Sequence, residues 1–304
     1  MLRSIMLSLA LTLLALPAAA ARDDVLALAK KGWVYQLRTT MIGRDMSIPV
    51  RINGRLLAGA SICIVGERPR RQTRLILDEF RALLAEVHGK PVPMRYAGPT
   101  ARLCGAGRTV ILRLYSGRPP NSALTDDLAW MNDSYALGLP TNRLYTAGSP
   151  AMAQTFFGRR GAGTHIMVKQ PARDDVTELE AAFYRSILVE ELFQTFTFGM
   201  DILHFDRSGI FQSKLQEFPV DLRYMNWDSQ GFMQGLLGSN PSGLCEFDVF
   251  MLHAIATAPV EQTNEPAFLE FIAEGYDELM ARAQVTLADP GYADLIDAEC
   301  RSRN

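Results

Sequence analysis

The chain has 304 residues, 48% of them hydrophobic, with 31 Lys and Arg against 33 Asp and Glu for a formal net charge of −2. That balance gives no electrostatic case for binding nucleic acid or acidic membranes. The length and apolar content are enough to bury a substantial core in one large domain or two.

At the N-terminus Arg3 precedes an apolar run over 5–16, then Pro17 and the small residues Ala18 to Ala21, then the polar Arg22, Asp23 and Asp24. This is the order of a secretory signal peptide spanning 1–21. The run is short of the roughly 20 residues a membrane span needs, although an uncleaved anchor is the alternative. No cysteine follows the small residues, so a lipid anchor is not indicated. Cleavage after residue 21 would leave 31 − 1 = 30 basic against 33 acidic side chains, a net charge near −3. A periplasmic or secreted protein is expected, with no membrane span after cleavage.

Apolar β-type runs follow at 47–52, 59–65, 109–115 and 164–168, and helical periodicity at 73–88, 126–137, 176–198, 247–257 and 265–283. Strands dominate early and helices late, which suggests α+β, with a mixed sheet in residues 22–170 and a helical region in 171–304. Glycine-rich breaks at 105–107 and 158–163 lack the strand–GxGxxG–helix context of a nucleotide site and read as loops. Arg68, Arg70, Arg71 and Arg74 precede the 73–88 helix, where the helix dipole could help them hold an anion. A solvated face is the simpler reading.

Four cysteines, Cys63, Cys104, Cys245 and Cys300, lie beyond the cleavage site, and no C-x-x-C occurs. In an oxidising compartment two disulfides are expected. Of the three connectivities, Cys63–Cys104 with Cys245–Cys300 is favoured, because each closes a loop within one half of the chain.

The 176–198 helix carries the most unusual pattern. Val176, Leu179, Phe183 and Ile187 form an apolar stripe that Glu190, Glu191 and Gln194 continue, while Val189, Leu192, Phe193 and Phe196 cover much of the remaining circumference. Carboxylates on such a helix must be paired, protonated or facing a cleft; the alternative is that they reach solvent between two stripes. Glu190 and Gln194 stand at i and i+4 with Glu191 between them, the arrangement of the zinc-peptidase His-Glu-x-x-His with the general-base position kept and both imidazoles lost.

Val189 to Gln194, the later Ser208-Gly-Ile-Phe211, and the helix opening near Cys245 and Asp248 resemble an uncharacterised family of secreted alphaproteobacterial proteins that looks like a diverged branch of the zincin metallopeptidases. The resemblance covers about residues 183–256. It implies a zincin-like fold in which a mixed sheet comes first, its edge strand lines the substrate groove, and the site helix follows. On that reading residues 164–170 would be the edge strand, and a helix opening near Asp248 would pack behind the site. Val189 stands at the family's optional His, residues 197–199 replace Leu-Gly, and Met200-Asp201 stands at an Asn-Asp turn.

Gln194 offers zinc only an amide oxygen, and Glu190 is a harder donor than imidazole. The histidines, His88, His165, His204 and His253, show no i, i+4 pair. His204 and Asp206 are the nearest further candidates in sequence. No G-x-S-x-G elbow occurs. Adjacent Glu190 and Glu191 point about 100° apart and do not form a glycosidase pair. The expectation is therefore a pseudo-peptidase. Glu191 is the candidate catalytic residue, and Glu190, Gln194, His204, Asp206 and Asp248 line its cleft. No cofactor is expected, with zinc as the alternative, and the ligand is a protein or peptide. Two other readings stay open: an active metallohydrolase with an atypical site, and an envelope-associated domain whose acids merely face solvent.

Overall fold

The structure is a computed structural model that describes residues 21–35, 47–48, 50–105, 107, 109–203, 211–218 and 220–300. The expected signal peptide falls outside these except for its last residue. A helix, α1, occupies residues 21–33 and buries Val25, Leu28, Ala29 and Trp33 at helical spacing.

A five-stranded sheet follows, in the order β2-β1-β3-β5-β4. Its strands are β1 (Ser61–Gly66), β2 (Met94–Gly98), β3 (Thr109–Tyr115), β4 (Ala151–Gly158) and β5 (Gly161–Lys169). Neighbours are parallel except β4, which runs antiparallel to β5. Helix α2 (Arg71–His88) links β1 to β2, and α3 (Asn121–Tyr135) lies between β3 and the β4–β5 hairpin. The second half holds α4 (Glu178–Thr197), α5 (Gln230–Ser239), α6 (Glu246–Thr257), α7 (Pro266–Glu274) and α8 (Tyr276–Ala288).

Strand alternation divides the interior. Ile62, Ile64, Val110, Leu112, Leu114, Ile166 and Val168 face the larger core, shared with α1, α2, α4 and α6. Cys63, Val65, Ile111, Tyr115 and Met167 face a smaller core under α3. Covered on both faces, the central strands read as continuous apolar runs, as buried parallel strands do.

Several expectations are corrected. Helices cross between parallel strands, so the class is α/β with a mixed sheet, in place of α+β. Residues 47–52 form no strand where they are described. The edge strand is β4, whereas residues 164–170 belong largely to β5, one position inward. Strand β4 (Ala-Met-Ala-Gln-Thr-Phe-Phe-Gly) is short of β-branched residues and mostly half-buried, so its apolar signal is weak. The 158–163 stretch is the β4–β5 hairpin itself, with Gly158 opposite Gly161. Gly275 breaks the 265–283 pattern into α7 and α8.

Both expected disulfides are present, Cys63–Cys104 and Cys245–Cys300, and no described cysteine is free. The first joins β1 to the turn before β3. The second ties the N-terminus of α6 to the end of the described chain. Among the described residues no helix is long and apolar enough to cross a membrane. Each bridge closes a long loop, 41 and 55 residues in sequence, and the loop-closure relation assigns each about 4 kcal/mol. Cys245→Ser with Cys300→Ser is therefore expected to lower unfolding free energy by about that amount, as measured by denaturant titration under non-reducing conditions.

Candidate functional site

Helix α4 starts in a capping box. The Thr177 hydroxyl accepts from the Glu180 N–H at 3.2 Å, and the Glu180 carboxylate accepts from the Thr177 N–H at 2.8 Å. The helix ends at Phe198, whose φ of 55° is uncommon for a residue with a side chain. Two contacts hold that turn: the Tyr35 hydroxyl donates to the Phe198 carbonyl at 3.0 Å, and the Phe157 ring of β4 stacks on Phe198. Gly199 follows because a Cβ there would lie 2.3 Å from Leu215. The last turn of α4 is thus pinned against the sheet edge.

Glu190, Glu191 and Gln194 line a cleft of about 290 Å³ between α4, β4 and the segments bearing Asp201, Glu217 and Asn240. Glu190 is only 8% exposed. Its Oε2 accepts from Lys214 Nζ at 2.8 Å and from Asn240 Nδ2 at 2.9 Å. Lys214 is wholly buried, and its ammonium also donates to Ser186 Oγ at 3.0 Å. Gln194 donates to Asp201. Glu191 accepts from the backbone N–H of Ala153 on β4, while its Oε2 has no hydrogen-bond partner.

Asp248 is also fully buried, but it is not among the residues lining the cleft. It accepts from Ser213 Oγ at 2.6 Å, the Lys214 N–H at 2.7 Å and the Cys245 N–H at 2.7 Å. It therefore caps α6 and fixes the backbone that delivers Lys214. His204 and Asp206 lie outside the described residues. Sequence reasoning missed Asp201, Lys214, Glu217 and Asn240 as site residues. None sits in a periodic pattern, and only tertiary folding brings them to α4.

The electrostatics are unbalanced. Among the described residues Glu190, Glu191, Asp201 and Glu217 surround one ammonium, that of Lys214. Burial, followed by the charges of Glu190 and Asp201, raises the Glu191 carboxyl well above the ordinary range. Burial and the same two charges push Glu217 up to about 7, and it hydrogen-bonds to Glu190. Asp201 is raised to about 6 by desolvation of its carboxyl and by Glu190. Near neutral pH the cleft therefore retains protons that free carboxylates would release.

Zinc is the metal that the resemblance implies, and its usual donors are imidazole, thiolate and some carboxylate. The converging atoms here are carboxylate oxygens of Glu190, Asp201 and Glu217, all within 4.8 Å of one another. His165 and His253 bond instead to Asp127 and Thr286, and the cysteines are in disulfides. The Lys214 ammonium already sits on Glu190 Oε2. Among the described residues this donor set does not fit zinc.

Two other sequence features resolve as structural. Arg70 and Arg71 N–H groups at the start of α2 donate to Gln170 Oε1 and Asp174 Oδ1, which occupy the place of an anion. His165 joins a buried cluster in which Asp127 accepts from Arg113 and pairs with His165 at 3.0 Å.

A second pocket, about 200 Å³, continues along β4 from the cleft and shares Ala153 and Gln194 with it. Tyr35, Ile52, Phe157, Phe198 and Met200 make it largely apolar. Comparison with known proteins finds no matching family model, no matching curated protein and no matching solved structure.

Lys214→Met is expected to destabilise the fold by about 3–5 kcal/mol, because Glu190 is left buried and uncompensated. Adding Glu190→Gln should recover most of that loss in the same denaturant titration.

The raised carboxyls also set a pH dependence. Glu217 and Asp201 bind protons more tightly folded than unfolded, so their contribution favours folding at low pH and is lost as pH rises from about 4 through 7. The melting temperature of the wild type, relative to Glu217→Gln, should therefore fall across that window.

Proposed function

We propose that this chain is an exported zincin-like protein whose metal site has degenerated, and that it binds an extended polypeptide in the cleft between β4 and α4 without hydrolysing it. The observation that carries this reading is the Lys214 ammonium, 2.8 Å from Glu190 Oε2. It supplies internally the positive charge that a catalytic metal would supply, at the helix position where a zinc ligand would stand. With both imidazoles lost, Glu191 has no metal-bound water to activate.

Three features support the zincin-like part. A mixed sheet precedes the site helix, an antiparallel edge strand lies beside that helix, and a later helix opens at Asp248 behind the site. Support for polypeptide binding comes from β4, which pairs only with β5 and leaves its other side toward the cleft. Extended peptides add to such edges through main-chain hydrogen bonds, and flanking pockets take alternate side chains. Two disulfides accord with export. The burial and pairing of Glu190 weigh against acids that merely face solvent.

An active hydrolase with a hard divalent cation is the second reading, favoured by the three carboxylates within 4.8 Å of one another. Elemental analysis of the purified exported protein distinguishes the two. The expected result is no stoichiometric metal and a melting temperature unchanged by a chelator, since a bound metal would add its binding energy to folding. One metal per chain, or peptidase activity lost in Glu191→Gln, would overturn the proposal.

A further inference from the structure

We infer that the acidic cleft is a subsite for one lysine or arginine side chain of the bound polypeptide, with the adjoining apolar pocket taking a neighbouring hydrophobic side chain. This rests on the polypeptide-binding reading and adds to it a chemical preference.

The inventory of donors and acceptors carries the inference. Among the described residues four carboxyl groups converge on the cleft, and Lys214 is spent on its floor between Glu190 and Ser186. The amide of Asn240 is 1% exposed, so almost nothing of it reaches water. Its Nδ2 donates to Glu190, yet its Oδ1 has no partner. Glu191 Oε2, buried in the same wall, has none either. A buried acceptor left unpaired costs about 1–3 kcal/mol, so among the described residues the cleft is short of hydrogen-bond donors as well as of positive charge. An ammonium brings three donors and a guanidinium five, each with a single positive charge.

A side-chain cation suits this geometry better than a metal ion. A dication among Glu190, Asp201 and Glu217 would share Glu190 with the fixed Lys214 ammonium and be repelled by it. A Lys or Arg head can stay nearer Asp201 and Glu217 at the mouth, its stem crossing the half-buried wall of β4. The second pocket shares Ala153 with the cleft and reaches Phe157. The span from Ala151 to Phe157 is about 20 Å at roughly 3.3 Å per strand residue. One extended segment of about seven residues can therefore place a cation in the cleft and an apolar side chain in the pocket.

No titratable group of β4 or α5 lines the cleft. Among the described residues the groups facing an incoming cation are Glu190 and Glu191 on α4, Asp201 after it, and Glu217 and Lys214 on the facing segment. Binding displaces protons from Glu217 and Asp201, so affinity should rise as pH increases from 6 to 8.

The test uses the full mature chain and acetylated, amidated seven-residue peptide pools. The central residue is fixed as Lys, Arg, norleucine or Glu, and the other positions are mixtures of Ala, Val, Leu and Thr. Calorimetry at pH 7.5, in two buffers of different ionisation enthalpy, reads both affinity and proton release. Lys and Arg pools are expected to bind at least tenfold more tightly than norleucine, with proton release, and the Glu pool not at all. Glu217→Gln should cost the Lys pool about tenfold and leave the norleucine pool unchanged; Asp201→Asn serves if Glu217→Gln does not fold.

Equal binding of Lys and norleucine pools would overturn the cation subsite while leaving the polypeptide reading intact. A Lys preference untouched by both variants would overturn its placement in this cleft. Failure of every pool to bind would overturn both readings. Calcium or manganese bound by the wild type, but not by Glu217→Gln, would overturn the subsite in favour of a metal centre.

Discussion

The buried contact between Lys214 and Glu190 is the constraint on which the rest of the site depends. Taking either charge out of water costs several kcal/mol, and the pair holds only because each partner is further satisfied. Ser186 completes the ammonium and Asn240 the carboxylate. The backbone beneath is equally constrained, since Asp248 gathers N–H groups from Lys214 and Cys245 and so joins the lysine segment to the start of α6. Cys245 is in turn bridged to Cys300. The floor of the cleft is therefore tied to the C-terminal helices by hydrogen bonds and a covalent link.

Two buried polar clusters in this molecule show opposite electrostatics. Under α3, Asp127 is surrounded by Arg113, His165 and the Ala101 N–H. Burial pushes its carboxyl up, but hydrogen bonds from His165 and Arg113 outweigh that and hold it below the usual range. Every charge there is answered, and the cluster fastens α3 to the sheet. In the cleft the described carboxyls outnumber the described cations, and the proton affinities of Glu191, Asp201 and Glu217 are raised. A satisfied network adds rigidity, whereas an unsatisfied one at an open surface retains capacity to bind.

Strand β4 links this imbalance to the fold. An unprotected edge invites pairing with other chains, and this edge is partly covered: Glu191 takes the Ala153 N–H, and Phe157 packs on Phe198. From Ala151 to Ala153 the edge borders the acidic cleft, and from Ala153 to Phe157 the apolar pocket. The Lys214 ammonium compensates Glu190 on α4 from within the chain.

Local pattern was enough to foresee much of this protein. Strands 59–65 and 109–115, the helix around 176–198, both cysteine pairings and the unusual placing of Glu190, Glu191 and Gln194 follow from periodicity, loop closure and the cost of burying carboxylates. Strand β4 escaped because an edge strand has only one neighbour and needs little apolar signal. Helix α5 escaped because it is short and carries Gly231, Gly235 and Gly238, poor helix formers. The α/β class depended on crossovers that element order alone does not specify. Asp201, the pair Lys214 and Glu217, and Asn240 come from three separate segments, and their residue types would be unremarkable on any surface. What α4 requires is a partner for a buried charge, and that much is written in its sequence. Which residue answers it was decided by tertiary structure, because electrostatic compensation acts through space and only the packed chain sets those distances.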